Sequence, residues 1–160
     1  MSNGDSKATC FAILTDIHGN IHALDVAARL IEERSDVDKI ICLGDNFSLG
    51  SAPIEVLKKL QSLPDPIFIR GNHDRYLTER IWEYDRPTIE GMDPDDPVCI
   101  DIVANEKWTA EQLGSEGIDF IRNMKMSHFV NTNGVYAEFT HAWFGRDELP
   151  PSLDEAKKVA

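Results

Sequence analysis

The stretch Asp16-Ile17-His18-Gly19-Asn20 decides the fold, because it lies where a strand-like apolar run ends and an amphipathic segment begins. The run before it, residues 10–14, predicts a buried strand, and the apolar residues of segment 21–31 recur at helical spacing. In open α/β sheets, ligands bind at the carboxyl ends of the strands. Side chains alternate along an extended chain, so we expect Asp16 and His18 to point to the same side and to share a transition metal. The alternative is that Asp16 caps the helix and His18 is a structural loop residue.

Two further predicted strands are each followed by polar residues that suit a metal. Segment 38–43 is apolar and runs into Gly44-Asp45-Asn46, and segment 67–69 runs into Gly71-Asn72-His73-Asp74. A helix is predicted between them, from Pro53 to Leu60. The order β-α-β-α-β is typical of a parallel sheet with crossover helices. We therefore expect the polar clusters to converge at one edge of the sheet.

The middle of the chain combines a polar segment with helical stretches. Residues 84–97 are acidic and rich in proline and glycine, which is typical of a loop or of a lid over the strand ends. Thr109 and Ser115 are expected to be N-caps. The predicted helices cover residues 98–106, 110–113 and 116–124.

The last third of the chain contains a hairpin signal. The apolar segments 126–130 and 135–140 flank Asn131-Thr132-Asn133-Gly134, and Asn-Gly is a favoured turn between antiparallel strands. The second arm runs directly into His141. A final helix is expected to begin at Ser152, a suitable N-cap.

Composition limits the class of protein. The chain has 160 residues, which suits a single domain, and a net charge of −12, which disfavours non-specific nucleic-acid binding. Its three cysteines are scattered and form no Cys-x-x-Cys motif, which favours the reducing cytoplasm. No apolar run approaches membrane-spanning length, and the polar N-terminal residues lack a signal-peptide core.

The residues at the predicted strand ends form a ligand set. They combine carboxylates, imidazoles and one carboxamide, a mixture that suits Mn, Fe or Zn. Two such ions sharing a carboxylate clamp a phosphoryl group and make hydroxide available at neutral pH. Asp45 follows the middle strand and is the natural bridge. The set comprises Asp16, His18, Asp45, Asn72, His73, Asp74 and His141.

Asp16-x-His18-Gly19-Asn20, Gly44-Asp45 and Gly71-Asn72-His73-Asp74, in this order, resemble the motifs of the calcineurin-like metallophosphoesterase superfamily. Within it, the chain is most similar to the small bacterial and archaeal phosphodiesterases of the diadenosine-tetraphosphatase-like branch. The sequences of segments 53–60 and 108–113 also resemble those of proteins in this branch. The resemblance implies one α/β/β/α sandwich domain with a mostly parallel first sheet. It also implies hydrolysis of a phosphomonoester, a phosphodiester or a nucleotide polyphosphate.

The resemblance further implies a role for each matching residue. Asp16 and His18 would bind the first metal and Asp45 both metals. His73 would contact the phosphate and protonate the leaving oxygen, with Asp74 orienting its ring. The metals would be two divalent transition ions: Mn, Fe or Zn, with Ni as a further candidate. Asn72 and His141 would bind the second metal, although a lone histidine after a strand is often structural.

One family motif is missing from the chain. The family carries a later Gly-His-x-His, and no Gly-His pair occurs here. We therefore expect residues 1–160 to form a single domain with an incomplete second sheet, whose exposed apolar face favours a homo-oligomer. A non-catalytic scaffold, or an inactive fragment, on the same fold is the alternative to a hydrolase. Phosphate-binding loop and dinucleotide-binding proteins are disfavoured because their glycine motifs are absent.

Overall fold

The computed structural model describes residues 9–132, 134–143 and 145–158. A parallel sheet lies at its centre and has the order β1-β2-β3. Its strands are β1 (Phe11–Leu14), β2 (Lys39–Cys42) and β3 (Ile67–Phe68). Each strand is apolar, and the crossover helices between them bring all three carboxyl ends to one edge, as predicted.

The crossover helices are α1 (Ile21–Glu32) and α2 (Pro53–Ser62). α1 buries Leu24 and Ala28 against the sheet, and its N-cap Asn20 accepts a hydrogen bond from the backbone of Ala23. α2 begins with proline at a position where its missing N–H costs nothing. The first two strands and both helices agree with the sequence prediction to within a few residues.

Two elements differ from the expectation. The residues after Gly71 form a helix, α3 (Asn72–Glu79), followed by a 3₁₀ turn at Ile81–Glu83. The predicted helical stretches from 98 to 124 lie in α4 (Pro97–Arg122), which a kink with non-helical backbone at Gly114 divides into two helices. The kink agrees with the predicted break between residues 113 and 116, whereas no break separates residues 106 and 110. Asp96 is the N-cap of α4, and Thr109 is buried inside α4, so the prediction of a cap at Thr109 is wrong.

The predicted hairpin is present. It pairs β4 (Ser127–Thr132) with β5 (Val135–Thr140) in an antiparallel register, and Asn133 of its turn lies outside the described residues. The ring of Phe139 lies 5.1 Å from that of Phe11, so β5 packs beside β1. A short helix, α5 (Leu153–Ala156), begins after Ser152, as predicted.

The segment after β5 is anchored on α3. The guanidinium of Arg75 donates to the carboxylate of Asp147 at 3.0 and 3.2 Å, and the hydroxyl of Tyr76 donates to Glu148. These contacts hold the segment that follows His141 against α3. Among the described helices, none is long and apolar enough to cross a membrane.

Candidate metal centre

Backbone hydrogen bonds join the loop after β1 to the loop after β2. The N–H of Asp16 donates to the carbonyl of Gly44 at 3.1 Å, and that of His18 donates to the carbonyl of Asp45 at 2.9 Å. These bonds continue the β1–β2 pairing beyond the last strand residues. The first two motifs are therefore held side by side by the main chain, before any side chain is considered.

Three candidate ligands have backbone conformations that are uncommon for residues with a side chain. Asp16, His18 and Asp45 have φ values of 52°, 45° and 53°. The expectation that segment 16–18 is extended is therefore wrong, although both side chains do reach the same space. Left-handed backbone at non-glycine residues costs free energy and clusters at functional sites, where the surrounding structure holds it in place.

Asp16, His18 and Asp45 form a group that could hold a metal ion. One ligand atom from each residue lies within 4.8 Å of the others. The Nδ1 atom of His18 lies 3.2 Å from the carbonyl of Ser48, which leaves Nε2 facing the group, 3.8 Å from Oδ1 of Asp16. Two carboxylates and an imidazole held by a backbone carbonyl are a donor set that fits a divalent transition metal.

A second pair of candidate ligands meets Asp45 from the other side. The Nε2 atom of His141 lies 3.4 Å from Oδ2 of Asp45 and 3.1 Å from Oδ1 of Asn72. The Nδ1 atom of His141 lies 2.5 Å from the carbonyl of Leu43 and is therefore the donor there. The carboxylate of Asp45 thus lies between two sets of donor atoms.

Asp45 and His141 shift each other's pKa. Burial opposes the charged form of His141, but its hydrogen bond and charge interaction with Asp45 outweigh burial and raise its pKa to about 9. Burial likewise disfavours ionised Asp45, but the contacts with His141 and His73 outweigh it and lower its pKa. The ionised carboxylate is the form that binds a metal, so the carboxylate of Asp45 is already in that form at neutral pH.

Gly44 and Gly71 allow the loop after β2 and the loop after β3 to touch through their backbones. A Cβ atom on Gly71 would lie 2.1 Å from Oδ1 of Asp45, and one on Gly44 would lie 2.3 Å from the backbone nitrogen of Gly71. Gly44 also has a φ of +95°, which side chains rarely allow. The motif glycines are therefore needed because the loops that carry the ligands touch through their backbones.

The carboxylate of Asp74 joins the loops of the second and third motifs, and no hydrogen bond links it to the ring of His73. Its fully buried carboxylate accepts hydrogen bonds from the backbone N–H groups of Asp45 at 2.9 Å and Gly71 at 3.1 Å. It also accepts from the backbone and side chain of Asn46 at 3.3 Å. Burial, followed by the charge of Asp45, raises the pKa of Asp74 to about 7. The expectation that Asp74 orients the ring of His73 is not met, because its oxygens are used by the loop backbones.

The partner of the His73 ring is Glu106, on α4. The Nδ1 atom of His73 lies 2.5 Å from Oε1 of Glu106, and Nε2 lies 3.8 Å from Oε1 of Glu90. Burial acts to lower the pKa of His73, but the hydrogen bond and charge of Glu106 outweigh it and raise the pKa. The sequence prediction did not include Glu106, yet one signal was available. It is a glutamate on the apolar stripe of α4 that includes Cys99, Val103 and Leu113.

The segment predicted to be a loop or lid contacts this centre. Ile89 is buried and anchors it, and the side-chain amide of Asn72 donates to Oε1 of Glu90 at 3.0 Å. The segment is irregular up to α4, and Glu90 is exposed. Whether it closes over a ligand stays a prediction.

The order and placement of the three motifs agree with a family-model match over residues 11–157, described as calcineurin-like phosphoesterase. The chain belongs to this family. This match confirms the family that the sequence predicted, and the fold described above agrees with it. The roles of the individual site residues stay predictions.

Relatives of this chain include proteins with and without an assigned activity. An uncharacterized protein from Methanocaldococcus jannaschii is 25% identical over 131 residues, which is 82% of this chain and 48% of that protein. A protein from Coxiella burnetii named as a symmetrical bis(5'-nucleosyl)-tetraphosphatase is 37% identical over 65 residues, or 41% of this chain and 22% of that protein. The chain thus spans less than half the length of these relatives.

Solved structures share the fold of this chain. A hypothetical protein from Pyrococcus horikoshii has a TM-score of 0.62 at 26% identity, covering 82% of this chain and 54% of that one. A metallophosphoesterase from Sphaerobacter thermophilus has a TM-score of 0.54 at 25% identity, covering 78% and 44%. The parallel sheet predicted from the sequence is therefore that of the family, and β4 and β5 form a separate two-stranded sheet.

Proposed function

We propose that this phosphoesterase hydrolyses a small phosphate ester with the help of two divalent transition metal ions. The observation that carries the proposal is the position of the Asp45 carboxylate. It lies within reach of Asp16 and His18 on one side and beside His141, which contacts Asn72, on the other. Asp16 and His18 would hold one ion, Asn72 and His141 the other, and Asp45 both.

Two bound cations would neutralise charge on the phosphoryl oxygens and lower the pKa of a water that attacks phosphorus. The chain's own residues supply the remaining chemistry. His73 lies beside the two proposed metal positions. Its Nδ1 atom is hydrogen-bonded to Glu106, so Nε2 is the nitrogen that carries a proton toward the substrate. As the bond from phosphorus to the leaving oxygen breaks, this proton moves from Nε2 to that oxygen.

The substrate class is a finer part of the proposal. We propose a phosphodiester, a phosphomonoester or a nucleotide polyphosphate, and the last is supported by the Coxiella burnetii relative through its name. The test is turnover of bis(p-nitrophenyl) phosphate, p-nitrophenyl phosphate and diadenosine tetraphosphate by metal-loaded protein. Asp45→Asn is expected to abolish turnover, and Asp101→Asn, an exposed position on α4, is the control. Equal activity of the two variants, or no turnover of any ester by the wild type, would contradict the proposal.

A non-catalytic binding protein is the second candidate, and exposed apolar side chains on the hairpin favour it. Phe129, Val135 and Tyr136 are 71, 69 and 80% exposed. The same surface supports a homo-oligomer, which we propose alongside the hydrolase. Light scattering of the wild type and of Tyr136→Ser tests it, because a dimer should dissociate in the variant.

A cytoplasmic location completes the proposal and is supported by the thiols. Cys10, Cys42 and Cys99 are free, and the last two are buried. Fractionation of cells that express the protein would test this location, and recovery in a secreted fraction would contradict it.

A further inference from the structure

The side chain of Glu106 has an unusual environment for a carboxylate. It is fully buried on the inner face of α4, although glutamate is rarely buried unless it is paired. Desolvating a carboxylate is costly, and that cost is offset only by partners with good geometry. The partners of Glu106 should therefore indicate why the residue is there.

Both oxygens of Glu106 have a partner. Oε1 lies 2.5 Å from Nδ1 of His73, and Oε2 accepts a hydrogen bond from the hydroxyl of Ser48 at 2.6 Å. The carbonyl of the same serine lies 3.2 Å from Nδ1 of His18. A chain of contacts thus runs from His73 through Glu106 and Ser48 to a candidate metal ligand.

The remaining neighbours of His73 restrict its ring. The rings of His18 and Tyr76 each lie edge-on, with centroids 5.4 Å away. The backbone N–H of His73 donates to Oδ1 of Asp45 at 3.0 Å, so the base of the side chain is fixed relative to Asp45. The motion that these contacts leave is a rotation of the ring about the Cβ–Cγ bond, which would exchange Nδ1 with Cδ2 and Nε2 with Cε1, and the bond from Nδ1 to Glu106 opposes it.

We infer that Glu106 is a positioning residue for His73, and that Ser48 in turn holds Glu106. This inference rests on the proposed hydrolase function. The buried carboxylate accepts from Nδ1–H, which keeps Nε2 directed to the leaving oxygen. The P–O bond breaks while the proton moves from Nε2 to the departing oxygen, and Glu106 keeps its own protonation state throughout. Glu106 on α4 thus orients the ring of His73, which is the role that the family resemblance implies for Asp74.

The test compares two esters that depend differently on proton donation. Bis(p-nitrophenyl) phosphate releases a good leaving group, whereas diphenyl phosphate releases a phenolate that needs protonation. For Glu106→Ala we expect kcat on diphenyl phosphate to fall by roughly 30-fold, less than the roughly 100-fold or more that general acid catalysis itself contributes, because His73 is still present. On the nitrophenyl ester we expect a change of less than about 3-fold, with KM unchanged on both esters.

Three further variants make the comparison specific. Glu106→Gln keeps an oxygen that accepts from Nδ1–H, so it should restore most of the lost rate without restoring a charge. Glu116→Ala, at an exposed glutamate that follows the kink at Gly114, is the control. In a His73→Ala background, Glu106→Ala should have no additional effect, because two residues that act through one proton are not additive.

A readout that does not depend on turnover comes from proton NMR of zinc-loaded protein. The Nδ1–H of His73 should give a strongly downfield resonance, because its hydrogen bond to a buried carboxylate is short. This signal should be absent from Glu106→Ala and present in Glu116→Ala. The same spectra show whether Glu106→Ala is folded, and Glu106→Gln serves as the test if it is not.

The outcomes separate this inference from the proposed function. Turnover by the wild type together with Glu106 variants that match Glu116→Ala on both esters would overturn the inference and leave the hydrolase standing. An equal loss on both esters, with reduced zinc content, would also overturn it, because a structural role predicts that result. No turnover of either ester by the wild type would overturn the proposed function and this inference with it.

Discussion

Replacing Gly71 with alanine should damage the metal centre through a single methyl group. The added Cβ would lie 2.1 Å from Oδ1 of Asp45, whereas ordinary contacts begin at 3.4 Å, so the carboxylate must move by about 1.3 Å. A misplacement of about 1 Å in a catalytic group can cost on the order of 100-fold in rate. Since Oδ1 also accepts from the backbone of His73, we expect overpacking and the lost hydrogen bond to lower the free energy of unfolding by about 2–3 kcal/mol.

The assay measures metal affinity, kcat/KM and thermal stability on the same samples. Gly134→Ala is the matched control, because Gly134 has a φ of +83° and nothing within 4 Å of an added Cβ. It should lose about 1 kcal/mol of stability from backbone strain and keep its metals. If Gly71→Ala kept wild-type metal affinity and kcat/KM, the carboxylate of Asp45 would not be confined by Gly71 as the structure indicates.

Three further predictions concern ionisation and burial. The pKa of His141 is raised from 6.5 to about 9, so its stabilising contribution to the metal-free protein is complete below pH 6.5 and is lost as the pH rises through 9. In thermal unfolding with EDTA present, the free energy of unfolding of the wild type should therefore fall by about 3 kcal/mol between pH 6 and pH 9.5. His141→Gln should not show this fall, and His128→Gln should show it in full. Asp74→Asn should lower the free energy of unfolding in urea by about 2–4 kcal/mol, because buried backbone donors lose an acceptor; an unchanged midpoint would argue against its role in joining the loops. Burial raises the pKa of Cys42 to about 12, so a disulfide reagent should label Cys10 well before Cys42 in the native protein, and equal rates would contradict the buried position of that thiol.

The sequence predicted the parts of the site that follow directly from strands. Asp16, His18 and Asp45 lie where apolar runs end, and a parallel sheet must bring such ends together. Their left-handed backbone was not predictable from alternation, because it arises from hydrogen bonds between two loops that are distant in sequence.

The helical elements show where local patterns stop being informative. The sequence of α3 is mostly polar, and its N-terminal turn is stabilised by Asp74, which accepts from the backbone of Gly71. Hydrophobic periodicity therefore does not predict this helix. The contact between His73 and Glu106 joins residues 33 positions apart, and no local pattern specifies which residue an inward-facing glutamate will meet.

If the Asp45 carboxylate joins two metal positions, as we propose, the number of bound ions should depend on it, and metal stoichiometry measures that dependence. Wild-type protein and Asp45→Asn would be loaded with Mn²⁺, freed of excess ion, and examined by elemental analysis and electron paramagnetic resonance. We expect about two Mn²⁺ per wild-type chain with the signal of a coupled pair, and fewer than about one, uncoupled, in Asp45→Asn. Two coupled ions in Asp45→Asn, or no bound Mn²⁺ in the wild type, would contradict this proposal.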